Sequence, residues 1–176
     1  SYAWTVNGAS EGAGSTLAYS FSSAGTYTVE VTVTDSDGHT SSYSYSETVN
    51  SDPSVSITSS QNPTDIGNSV TFTASTSGGT GSLTYQWYLN NAAVSGATSS
   101  TYATSFASSG TYSIYVAIAD GIGNTAQSST LTETVNFDPT VTITSSQNPT
   151  DIGNSVTFTA NPSGGTGSYT YQWYLN

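Results

Sequence analysis

Residues 106–120 read FASSGTYSIYVAIAD, and residues 21–35 read FSSAGTYTVEVTVTD. Within the first stretch Tyr112, Ile114, Val116 and Ile118 fall on one side of an extended chain, and Ser113, Tyr115, Ala117 and Ala119 on the other. In the second, Tyr27, Val29, Val31 and Val33 alternate with Thr28, Glu30, Thr32 and Thr34. Strict alternation of β-branched and aromatic residues with small or polar ones predicts a strand with one buried face. Working outward, Val70 with Phe72, and Leu83 with Tyr85, Trp87 and Leu89, extend the same period to further strands. Val55 with Ile57 and Val141 with Ile143 each follow an Asp-Pro step, where proline suits a strand's first residue. Gly-rich connections at 77–81 and 120–123 mark turns. No segment carries a helical period, so the expected fold class is all-β.

The matched pair of strands belongs to a larger repetition. SSQNPTDIGNSVTFTA occupies both 59–74 and 145–160, SGGTGS occupies 77–82 and 163–168, and YQWYLN occupies 85–90 and 171–176. The period is about 86 residues, and self-similarity of this length signals a tandem array. The expected organisation is the C-terminal part of one sandwich repeat at 1–50, a complete repeat at 51–136, and the N-terminal part of a further repeat at 137–176. The phase places both chain ends inside one strand, as expected of a window on a longer array. Such ends leave strand donation between neighbouring subunits open.

These residues resemble a known family: tandem immunoglobulin-like or PKD-like β-sandwich repeats of archaeal and bacterial cell-surface proteins. Trp87 in YQWY stands where that family has its buried strand-C tryptophan. Gly110-Thr111-Tyr112-Ser113-Ile114 matches the start of strand F with its tyrosine corner, and Ile114 takes the place of the second cysteine of antibody domains. The WDFGDG-like stretch of PKD domains is absent, since Tyr88-Leu89-Asn90-Asn91 follows Trp87. The resemblance implies tandem Ig-like/PKD-like β-sandwiches and specifies no activity.

Composition narrows the partners. The 176 residues contain no Lys, Arg, Cys or Met, one His and 11 Asp or Glu, for a formal net charge of -11. Without cations the chain cannot neutralise phosphates, which excludes nucleic acid and electrostatic docking on anionic lipid. No apolar run is long enough for membrane insertion. Zero Cys removes disulfides and thiolate chemistry. His39 lies in the turn Asp37-Gly38-His39-Thr40, where the second repeat has Asn124, and so reads as a solvated turn residue rather than a catalytic base. No convergent pair of carboxylates can be argued from spacing, and no enzyme is expected.

Eleven carboxylates without a cationic side chain leave Ca²⁺ to be weighed, because Ca²⁺ takes oxygen donors from Asp, Glu, Asn and backbone carbonyls. A head-to-tail array would bring the linkers around Asp52 and Asp138 close to the F–G loop of the next domain, which carries Asp120, or Asp35 with Asp37 in the first repeat. These five are the candidate metal ligands at inter-domain joints. The alternative reading gives the same residues to Asx turns and solvated loops. Asp35-Ser36-Asp37-Gly38 opens like an EF-hand loop but lacks the later ligands.

Two acids stand apart. Alternation puts Glu133 on the face of Leu131 and Val135, and Glu47 on that of Tyr45 and Val49, positions for an edge charge or a protonated carboxyl. All three Asn-X-Ser/Thr sites have Pro in the middle, so none accepts an N-linked glycan. O-linked glycans are not encoded in a readable motif, and Tyr88, Tyr115 and Tyr174 face outward, ready to stack on sugars or to pair across strands. The sequence therefore points to a stiff rod of repeats in an extracellular or cell-surface filament, stalk or surface layer, associating with copies of itself. A carbohydrate- or protein-binding accessory domain of a secreted enzyme or adhesin is the second reading.

Overall fold

The computed structural model describes residues 1–176 and contains strands and turns with no helix. Backbone pairing divides the strands into three sets. In the first, β1 (Tyr2–Val6), β2 (Ala9–Gly12), β3 (Gly25–Thr34) and β4 (Thr40–Val49) form one antiparallel sheet in the order β2-β1-β3-β4. The second set begins with β5 (Ser54–Ser59), β6 (Thr64–Asp65), β7 (Ser69–Ser77), β8 (Thr84–Leu89) and β9 (Ala92–Ala93). It continues with β10 (Thr101–Ser105), β11 (Gly110–Ala119), β12 (Thr125–Gln127) and β13 (Leu131–Asn136). These strands make two sheets, β10-β7-β5 and β6-β13-β11-β8-β9, with β12 added beside β11. The third set is the hairpin of β14 (Thr140–Ser145) and β15 (Phe158–Ser163).

The second set is a sandwich whose inner faces follow the sequence alternation. Val70 and Phe72 project from β7 against Trp87 on β8, Ile114, Val116 and Ile118 on β11, and Val135 on β13, with Phe106 closing one end. Trp87, Phe72, Ile114, Val70 and Val116 are wholly buried. The Trp87 indole N–H donates to Ser99 O at 2.9 Å, so the ring's one polar atom is satisfied at the rim of the core. The first sheet carries the equivalent alternation on β3 and β4, where Tyr43 and Tyr45 lie opposite Val31 and Val29.

Both tyrosine corners form. Tyr112 Oη donates to Ser108 O at 2.9 Å, and Tyr27 Oη donates to Ser23 O at 2.9 Å. Each bond ties the start of a long strand to the turn before it and fixes where that strand begins. Tyr112→Phe removes the Oη donor while keeping the ring against Phe106, 4.2 Å away between centroids. The expected loss is about 1 kcal/mol, the net value of one hydrogen bond, read as a lower urea midpoint with an unchanged slope.

Candidate functional site

The five candidate metal ligands have differing surroundings. Asp120 closes the β11–β12 turn: its Oδ1 accepts the amides of Asn124 at 2.8 Å and Ile122 at 3.1 Å. Its Oδ2 accepts the Thr80 amide at 3.0 Å and the Asn124 side-chain amide at 3.4 Å. Burial pushes this carboxyl upward, but the backbone amides of Thr80, Asn124 and Ile122, with the Asn124 side chain, outweigh it and leave the group below its ordinary value. Asp35 repeats the design at the β3–β4 turn. Its Oδ1 accepts the amides of Asp37 and His39, both at 2.9 Å, and its Oδ2 lies 3.3 Å from His39 Nδ1. His39 thus takes the place that Asn124 has in the second repeat.

Asp37 is exposed in the same turn, and Asp52 and Asp138 are exposed in the two linkers. Asp52 and Glu47 line a cleft of about 530 Å³ at the first joint, together with Asn50, Thr80, Ile122 and Asn124. The linker does approach the β11–β12 turn there. No three Asp, Glu or His side chains, however, converge at metal-ligand spacing anywhere in the chain.

What the linkers grip directly is the SGGTGS loop that follows β7 or β15. Asn50 Nδ2 donates to Thr80 Oγ1 at 3.1 Å, and the Gly79 amide donates to Ser51 O at 2.8 Å. One period later Asn136 Nδ2 donates to Thr166 Oγ1 at 3.0 Å, and the Gly165 amide donates to Phe137 O at 2.6 Å. The second joint adds a carboxylate: Thr166 Oγ1 donates to Asp65 Oδ1 at 2.6 Å and the Thr166 amide to Asp65 Oδ2 at 3.2 Å. Asn50 and Asn136 lie in the linkers expected at the joint, but Asp65, Thr80 and Thr166 are not among the candidates the sequence offers. Their signal was the recurrence of SGGTGS and of the Pro-Thr-Asp step at the same 86-residue offset.

Glycine is required where linker and loop meet. At Gly78, with φ of +71°, an added Cβ would lie 2.3 Å from Asp52 O, and at Gly164, with φ of +75°, 2.7 Å from Asp138 O. Gly78→Ala is expected to cost about 1–3 kcal/mol from the left-handed backbone alone and to push the linker off the loop. A fall in urea midpoint, with loss of the Gly79 amide's exchange protection, checks it.

Elsewhere two of the three outward tyrosines pair with each other, and Tyr174 stays exposed. Tyr88 and Tyr115 are cross-strand neighbours whose rings stack at 4.6 Å and 9°. Glu133 is wholly buried on β13; its Oε2 accepts from Ser59 Oγ at 2.8 Å, while its Oε1 and the nearby buried hydroxyl Thr64 Oγ1 have no partner. Burial raises this carboxyl, and the Ser59 hydrogen bond offsets part of the rise. Glu47 on β4 is half-buried.

Residues 54–133 match the PKD domain family. No curated protein sequence matches the chain. Solved structures similar to it include the N-terminal four Ig domains of Dscam1 isoform 7.44, at 19% identity and TM-score 0.41, covering 65% of this chain and 27% of that one. Another is the structure described as the structural basis for Dscam isoform specificity, at 20% identity and TM-score 0.37, with the same coverage. The chain thus spans about a quarter of the length of these structures. With two facing sheets around the buried Trp87 and with its tyrosine corners, the chain is an all-β protein of Ig-like/PKD-like β-sandwich repeats, and its residues 54–133 are similar to the PKD domain.

Proposed function

We propose that this chain is a structural segment of an extracellular filament, stalk or surface-layer protein, a stiff spacer without catalysis. PKD and Ig-like domains are typically non-catalytic modules of the cell surface with adhesive or structural roles. The observation that carries the reading is the recurrence of one joint. The linker carbonyl, the Asn side chain and the SGGTG loop meet through the same hydrogen bonds at both repeat boundaries, 86 residues apart. A spacer needs the same coupling many times, with linkers too short to bend freely.

The single His is bound in a turn, and the carboxylates with the best-defined surroundings, Asp35 and Asp120, are occupied by backbone amides. No helix is long and apolar enough to cross a membrane. Electron microscopy of the native material tests the proposal: long fibres of uniform width support it, and globular particles with a distinct head overturn it in favour of a binding module. In that second case a glycan array would register hits, which a pure spacer would not.

A further inference from the structure

We propose that Asp65 and Asn136 form a pincer that docks onto Thr166 of the following repeat and fixes its orientation, so that the joint is a locked coupling rather than a hinge. The inference rests on the spacer reading and specifies the surface by which it is achieved.

Asp65 and Asn136 are paired residues on the parallel strands β6 and β13, so two side chains from different parts of the repeat emerge side by side at its end. The Asp65 carboxylate takes both donors of Thr166, hydroxyl and amide. Asn136 in turn donates to the same hydroxyl oxygen, and its amide also reaches Gly165 O at 3.4 Å. Thr166 Oγ1 therefore donates once and accepts once. A carboxylate gripping two donors of one residue restricts rotation as well as separation, and charge-assisted bonds of this kind are the stronger ones.

The surface is heterologous. One end of a repeat carries the Asp and Asn acceptor-donor pair, and the other carries the Thr of its SGGTG loop, so contacts propagate head to tail in one direction. The first joint shows the Asn half of the pincer on Thr80, whose amide is held by Asp120 of its own repeat. Asp151, one period after Asp65, presents the same carboxylate, exposed, on the third repeat. The partner this surface fits is thus a further repeat with an SGGTG loop.

The test uses the full 176-residue chain. Amide hydrogen exchange at Thr166 and residual dipolar couplings across the second joint are measured for the parent, Asp65→Ala and Thr166→Val. Asp65→Ala is expected to speed exchange at Thr166 on the order of tenfold or more. It should leave the Thr80 amide, protected by Asp120, unchanged. Thr166→Val lies outside the complete sandwich and is expected to average the couplings between repeats while both sets of strands stay folded. Unchanged Thr166 exchange in Asp65→Ala, or couplings in Thr166→Val that still report one fixed orientation, would overturn the pincer. If Thr80 also loses protection in Asp65→Ala, the couplings of Thr166→Val decide alone. The two readings separate cleanly: globular native particles with the pincer responses intact overturn the spacer, and uniform fibres without those responses overturn the pincer.

Discussion

Trp87→Ala is expected to destabilise the complete repeat by about 3–5 kcal/mol, the usual cost of truncating a wholly buried large aromatic. For a unit of about 80 residues that corresponds to a fall in melting temperature of more than roughly 12 °C. The size follows from position. Trp87 is fully buried at the centre of β8, with Phe72 at 6.4 Å and Tyr102 at 6.0 Å between ring centroids. Its indole N–H donates to Ser99 O, so the same side chain also tethers the loop between β9 and β10, beside the backbone bond from the Trp87 amide to Ala97 O. In a chain with 34% hydrophobic residues the core is small, and few neighbours can collapse into the space left.

The first repeat supplies the control. Trp4 is only half-buried, although its indole N–H still donates to Gly14 O at 2.8 Å. Trp4→Ala is therefore expected to cost clearly less in the same urea titration. Equal losses at Trp4 and Trp87 would show that burial in the sandwich is not the source of the effect.

The contrast between these tryptophans also marks what could be read in advance. Period-2 alternation at Tyr112, Ile114, Val116 and Ile118 needs only local geometry, and it identified the inner face of β11, three of whose four residues are wholly or almost wholly buried. The tyrosine corners were likewise legible, because Gly-Thr-Tyr opens each strand and the hydroxyl reaches back only four residues. The Asx turns at Asp35 and Asp120 are local as well. The joint is different in kind. Asp65 and Thr166 are 101 residues apart in sequence, and β6 is two residues long, too short to show any period. That its partner β13 runs parallel beside it depends on how the chain passes between sheets, which composition and spacing do not encode. For the same reason the acids drew attention to the aspartates nearest the linkers, Asp52 and Asp138, when the carboxylate that spans the joint lies on a strand.

Glu133→Gln is expected to make the complete repeat more stable than the parent at neutral pH, with a gap that closes as the solution is acidified. Glu133 is wholly buried, and Oε1 has no donor. Ser59 Oγ has one proton and two acceptors, Glu133 Oε2 at 2.8 Å and Gln61 O at 2.9 Å. A protonated Glu133 resolves that conflict by donating to Ser59 Oγ, which then donates to Gln61 O. An ionised one must compete for the Ser59 proton and leave a charged oxygen unpaired.

Burial accordingly raises this carboxyl above its ordinary value of 4.5. The folded state then holds the proton over a range where the unfolded state has released it. Stability is fully present below 4.5 and declines as pH rises towards the folded value. Asp120 acts in the other direction. Its lowered carboxyl contributes stability above its ordinary value of 3.8, and that contribution is lost as pH falls. The Asp120 turn is the same in parent and variant, so it does not mask the Glu133 effect.

General repulsion among the other acids also grows with pH in a chain without Lys or Arg, but it acts on parent and variant nearly alike. The difference between their urea midpoints therefore isolates Glu133. It is expected to widen from near zero at about pH 4 to on the order of 1–3 kcal/mol at neutral pH, the penalty of a buried polar group without a partner. A difference that stays constant across that range would mean that Glu133 is ionised in the folded repeat, with a proton donor for Oε1 supplied by the solvent.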